Sequence, residues 1–141
     1  MNKIHKRRLN KLADFLSVLP RDKFKMTRWF NECGTPSCAL GWSTTLFKRS
    51  GFYRVSNLVR SDFYRGSSLI RGSSLVRSVI DYKVPAYRDE QGYPAAEKFF
   101  GILQSESAHL FNPYNYPKQA ATPKMVARRI RKVIALNESI R

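Results

Sequence analysis

Thr122-Pro123-Lys124-Met125-Val126-Ala127-Arg128-Arg129-Ile130-Arg131-Lys132-Val133-Ile134 is the stretch that sets the fold class of this 141-residue chain. Thr122 is suited to cap a helix N-terminus. Pro123 then takes the first helical position, where an amide hydrogen would have no partner in any case. Val126, Ile130, Val133 and Ile134 recur on one side of a helical period, and Lys124, Arg128, Arg131 and Lys132 fall opposite. The pattern predicts a helix over 122–136 with an apolar face for a core and a basic face turned away from it. Such a basic face suits a nucleic-acid backbone or groove, and it suits solvent equally well.

The same pattern opens the chain. Over 3–19, Leu9, Leu12, Phe15, Leu16 and Leu19 share one side, while Lys3, Lys6, Arg7 and Lys11 fall opposite; Pro20 ends the helix. Its basic face is either solvated or a grip for phosphates. Two shorter helices are predicted in between. One covers 94–100, with Pro94 in its first turn, Phe99 and Phe100 on its core face, and Gly101 as its stop. The other covers 105–111, with Ser105 as N-cap and Leu110 and Phe111 buried. His109 lies in it, and a lone histidine reads as a packed or capping residue. The turn Asn112-Pro113-Tyr114-Asn115-Tyr116-Pro117 offers Tyr114 and Tyr116 either as exposed stacking groups or as caps on the core edge.

Cys33-Gly34-Thr35-Pro36-Ser37-Cys38-Ala39-Leu40-Gly41-Trp42 is the most distinctive local motif. Thr35 as N-cap and Pro36 as first residue predict a helix starting here, with Cys38, Ala39, Trp42 and Leu46 as its apolar stripe. Gly41 inside a helix costs about 1 kcal/mol against alanine, which implies close packing against another element. The two cysteines admit three readings: core packing, thiol chemistry with Cys33 activated at the helix N-terminus, or a metal site. The metal reading is short of ligands, because only His5 and His109 remain and neither stands at a recognisable spacing.

Residues 51–92 form a basic insertion rich in serine and arginine within a single domain spanning 1–141. Arg65-Gly66-Ser67-Ser68-Leu69-Ile70 is followed by Arg71-Gly72-Ser73-Ser74-Leu75-Val76, a repeat with a period of six. In an extended strand Arg65, Arg71 and Arg77 would share one face, spaced about 20 Å apart. A hairpin or an arm is equally allowed, since Gly-Ser pairs favour turns as readily as strands. With Arg54 and Arg60 these side chains make a candidate arginine comb for a phosphate backbone. Phe52, Tyr53, Phe63, Tyr64 and Tyr82 interleave them, as stacking groups or as core. Residues 79–92 alternate enough for a strand ended by the turn signal Asp89-Glu90-Gln91-Gly92. Asp89 and Glu90 are adjacent, so they do not face one another as an acid–base pair would. The fold expected is mainly α, a small helical domain carrying a basic strand or hairpin; an α+β arrangement also fits.

Charge narrows the partner class. Lysine and arginine number 26 against 10 acids, giving a formal charge of +16. Three basic blocks, 1–28, 48–83 and 113–141, alternate with the nearly neutral blocks 29–47 and 84–112. That excess raises the local concentration of polyanions. Hydrophobic residues make up 43% of the chain, enough to bury a core, so it is no disordered basic tail. No stretch approaches a membrane span, and Asp14 and Ser17 interrupt the only apolar run near the N-terminus. One short cysteine pair is too few for a disulfide scaffold. The expectation is a reduced, cytoplasmic protein, in a host cell if phage-encoded.

Around 33–42 the chain resembles a family of small uncharacterised proteins of phages and bacteria. Its members pair a leucine-rich opening helix with a C-G-T-x-x-C-A-x-G-W segment. An aromatic-rich helix, an L-F-x-P-x-x-Y-P turn and a T-P-x-x-V-A-x-R-I helix follow. Here those are 33–42, Phe99-Phe100, 110–117 and 122–130, and the likeness covers roughly 8–47 and 93–134. It implies a shared helical fold and a phage origin. The family brings no activity, so no functional residue carries over. Residues 54–78 depart from its pattern.

The function expected is binding of nucleic acid without catalysis. Arg54, Arg60, Arg65, Arg71 and Arg77 would meet phosphates together with Lys3, Arg7 and Lys11 of the first helix and Lys124, Arg128, Arg131 and Lys132 of the last. The competing expectation is a protein-binding modulator of a host machine, or a virion component, whose basic surface meets an acidic protein patch. An enzyme would need a nucleophile with a base, paired acids or a metal set; Cys33 with His5 or His109 is the sole candidate pair. No cofactor, metal or membrane partner is expected, and nothing in the sequence sets an oligomeric state.

Overall fold

A computed structural model describes residues 1–31, 33–64 and 75–140, with side chains placed at 1–31, 33–57 and 82–140. Two long helices frame it. Helix α1 (Lys3–Val18) starts at Asn2, whose side chain accepts from the His5 amide at 2.8 Å. Helix α5 (Pro123–Ser139) starts at Thr122, whose hydroxyl accepts from the Met125 amide at 3.2 Å. The two run antiparallel: Lys6 pairs with Glu138, and Asp14 pairs with Arg131 at 2.7 Å. Between them they bury Leu9, Leu12, Ala13 and Leu16 from one side and Val126, Ala127, Ile130, Val133 and Ile134 from the other. The apolar stripes read from the two helical periods are therefore the faces that meet.

Three short helices complete the core. Helix α2 (Ala39–Leu46) begins three residues later than Thr35 and Pro36 suggest. Residues 35–37 are held extended against the preceding segment instead. The Asn31 amide donates to the Thr35 carbonyl at 2.8 Å, the Ser37 amide to the Trp29 carbonyl at 3.0 Å, and Pro36 bridges Phe30. Cys38 becomes the N-cap, its sulfur accepting from the Gly41 amide at 3.5 Å. Cys33 is thus in an exposed turn and not at a helix N-terminus. Helix α3 (Tyr93–Phe100) ends at Gly101, which adopts the left-handed conformation that stops it. Helix α4 (Gln104–Phe111) starts at Leu103 rather than Ser105, because the Glu106 carboxylate reaches back to the Leu103 amide at 2.9 Å.

Strands β1 (Phe52–Tyr64) and β2 (Leu75–Tyr87) form an antiparallel hairpin, in register from Phe52 opposite Tyr87 out to Tyr64 opposite Leu75. After a turn at Arg88 and Asp89, β3 (Glu90–Gln91) pairs with the end of β2, giving the sheet order β1-β2-β3. The base of the hairpin is embedded. Phe52, Val84, Ala86 and Tyr87 are buried, and Phe52 and Tyr87 join Phe47, Phe99 and Phe100 in an aromatic cluster with ring centroids 4.9–6.2 Å apart. Thirteen residues of strand span about 40 Å. The chain is mainly helical with a small antiparallel sheet, as its periodicities predict. Tyr64 pairs with Leu75, so β1 and β2 are the two arms of a hairpin, and Arg77 lies on its second arm; Arg65 and Arg71 lie outside the described residues. Among the described residues, no helix is long and apolar enough to cross a membrane.

Candidate nucleic-acid interface

The cations of α1 and α5 emerge as two rows. Lys3, Arg7 and Lys11 stand at i, i+4, i+8 on α1, and Lys124, Arg128 and Lys132 stand at the same spacing on α5; all six are exposed. Side chains four apart share a helix face. The ion pairs Lys6–Glu138 and Asp14–Arg131 close the seam between the helices, and the core lies on one side of it. Each row lies on the side of its own helix away from that helix's buried stripe. Arg131, grouped with the α5 row by periodicity alone, is instead committed to Asp14 and to the Ser17 hydroxyl at 3.2 Å. Lys11 leans over the Phe47 ring, 5.5 Å from its centroid, and keeps its charge outside the core.

The hairpin contributes differently. Arg54 donates to the Gly34 carbonyl at 2.7 Å and lies 5.7 Å from the Phe30 ring centroid, so it ties β1 to the 30–36 loop. In the register Arg60 stands opposite Val79, and Arg77 opposite Asp62. The side chains of Arg60 and Arg77 fall outside the described set, as do Phe63 and Tyr64. Arg65 and Arg71 lie outside the described residues altogether.

A second feature is not foreseen by any periodicity. Trp29, Tyr82, Tyr93 and Tyr114 line a cleft of about 580 Å³, with Arg28 and Lys83 on its wall. Trp29 is fixed at both ends. A methyl group on Gly41 would sit 2.0 Å from the Trp29 carbonyl oxygen, and one on Gly92 would sit 3.1 Å from the indole. Each glycine lets the chain close onto the tryptophan where any side chain would hold it off. The indole packs 6.2 Å from Tyr82, tilted 46°, and 6.1 Å from Tyr93, edge to face. Tyr82 is 50% exposed and Tyr114 is 76% exposed. Tyr116, the other ring of the tyrosine-rich turn, points inward; its hydroxyl donates to the Leu110 carbonyl at 2.7 Å and Arg129 covers its ring. Arg28-Trp29-Phe30, a cation beside two aromatics, is the local sequence signal for this cleft.

The thiols differ in chemistry. Cys33 is exposed, and its thiol is held below the usual range by the Thr35 hydroxyl 3.1 Å away, then by neighbouring amides and Lys83. Burial pushes the Cys38 thiol up to about 11. His5 lies against Gly101, and His109 sits on α4, where its carbonyl accepts from Arg129; Cys33 has Thr35 as its hydrogen-bond partner and neither histidine. Among the described residues, no three of His, Cys, Asp and Glu gather as a metal site. Because the thiolate is the nucleophile, brief alkylation at neutral pH is expected to label Cys33 and spare Cys38, read by peptide mass spectrometry; Cys38 reacting first would contradict this placement. A thiol whose pKa rises on folding stabilises the fold below its unfolded pKa and loses that contribution as pH climbs. Thermal stability is therefore expected to fall as pH rises from 9 to about 11 at Cys38, with Tyr116, pushed up to about 12, acting in the same direction above pH 10. A melting temperature unchanged across that range would contradict both burials.

No family model, no curated protein and no solved structure matches this chain. The interface is therefore argued from its own geometry and charge.

Proposed function

We propose that this chain binds nucleic acid through its basic surfaces, mostly by phosphate contacts, and performs no chemistry on it. The observation that carries the reading is the pair of exposed cation rows, Lys3-Arg7-Lys11 and Lys124-Arg128-Lys132, one on each of the two antiparallel helices α1 and α5. Six exposed cations on two packed helices are available to phosphates, and phosphates neutralised by them release condensed counterions. In this reading the arginines of the 51–92 insertion, Arg54, Arg60, Arg65, Arg71 and Arg77, add to the same chemistry. Contacts of this kind position a polyanion without reading its sequence, so binding is weakly sequence-specific.

The role of a phage accessory protein belongs to the same proposal and rests on the resemblance of the 33–42 and 122–130 segments. The test is a salt titration of labelled nucleic acid, joined to capture of partners from a lysate with and without nuclease. Affinity is expected to fall steeply with salt, and captured material to disappear on nuclease treatment. A flat salt response, or an acidic protein that stays bound after nuclease, would overturn it.

A further inference from the structure

The phosphate reading uses none of the rings around Trp29. We propose that the cleft of Trp29, Tyr82, Tyr93 and Tyr114 takes unpaired bases, so that the chain prefers single-stranded nucleic acid to duplex. The inference rests on the nucleic-acid reading for its backbone contacts and adds a separate site for the bases.

The cleft has the size of a small-ligand site, about 580 Å³. Its platform is pre-set. Trp29 is clamped between Gly41 at its carbonyl and Gly92 at its ring, so it need not reorganise to receive a partner. Its neighbours are not stacked flat on it. The 46° tilt of Tyr82 and the edge-on Tyr93 leave the rings meeting at angles, and Tyr82 and Tyr114 keep much of their surface in solvent. Exposed aromatic faces beside cations are what a sequence-tolerant single-strand site consists of, because every base has a face to stack. Paired bases cannot enter, since their faces are covered within the duplex.

Charge points to the same occupant. Arg28 is on the cleft wall and exposed, and Arg54 ties down the adjoining loop. A neutral apolar ligand would gain nothing from that wall, whereas a nucleotide brings its own phosphate to it. Tyr82 and Lys83 lie on β2, the strand that carries Arg77 further out along the hairpin. A strand leaving the cleft would meet that basic ribbon next.

The test uses the full chain with Trp42→Phe, which leaves Trp29 as the single indole. Oligo-dT, oligo-U and a duplex of equal length are titrated while Trp29 fluorescence and binding anisotropy are followed. The single strands are expected to quench Trp29 and the duplex to leave it unquenched. Tyr82→Ala and Tyr114→Ala alter exposed side chains, and each is expected to weaken single-strand binding about tenfold while duplex affinity and the salt slope stay unchanged. Single strands that bind without quenching Trp29, or Tyr variants that bind as the parent does, would overturn the cleft proposal and leave the phosphate reading standing. A parent protein that binds neither single strand nor duplex at low salt would overturn both.

Discussion

Replacing Lys3, Arg7, Lys11, Lys124, Arg128 and Lys132 together by glutamine is expected to weaken binding to duplex DNA by about 10³-fold or more at 50 mM salt. Each phosphate left without its cation takes roughly one unit off the slope of log affinity against log salt. Six neutralised phosphates correspond to a fall of about 10³ between 50 and 200 mM salt in the parent, and abolishing those ion pairs costs at least that much. The side chains are all exposed, and none takes part in the two ion pairs that close the α1–α5 seam. The fold should therefore survive, which circular dichroism checks. Changing one row at a time should reduce the slope by about half as much. A six-fold variant with the parent's slope would place the phosphate-binding groups elsewhere, in the hairpin or nowhere. Arg131→Gln serves as the contrast: its charge is engaged by Asp14, so the slope should barely move.

Phe99→Ala is expected to remove about 3–5 kcal/mol of stability, the range for truncating a fully buried phenylalanine. Phe99 is fully buried on α3 and meets the rings of Phe47, Phe52, Tyr87 and Phe100 at centroid distances of 4.9–5.1 Å. The Arg8 guanidinium sits 4.0 Å above it and donates to its carbonyl at 2.8 Å. Deleting the ring opens a void among groups drawn from α1, α3 and both strands of the hairpin base. Those elements cannot all collapse into one hole without moving relative to each other. Urea unfolding measures the cost, which is a large fraction of the stability of a typical small domain. A decrease under about 1 kcal/mol would mean that the aromatic cluster repacks freely, and that the hairpin is not anchored through it.

The helices are legible in the sequence because each carries its own instructions. In α5 the apolar period, the Thr122 cap and Pro123 agree with one another, and in α1 the apolar period agrees with the proline that ends it; local agreement of that kind needs no distant partner. The start of α2 is not legible, for the opposite reason. Thr35-Pro36 is a sound local signal, but Trp29 and Asn31 hold 35–37 extended, and a tertiary pairing outweighs a cap worth about 1 kcal/mol. The serine–arginine repeat has a period that suits a strand, and most of it lies outside the described residues; what the register shows is that the flanking strands β1 and β2 pair antiparallel, Tyr64 opposite Leu75.

The sequence by itself determined the helical class, the cap of the last helix, the proline that ends the first, and the surplus of positive charge. These follow from near neighbours in the chain and from simple counting. Only the tertiary structure decided that Arg131 is held by Asp14 while six other cations stand in two rows. It alone gathered Trp29, Tyr82, Tyr93 and Tyr114, separated by up to 85 positions, around one cleft. Periodicity records which way a side chain faces on its own element. Which elements then meet depends on burying all their apolar faces at once, and no single segment carries that information.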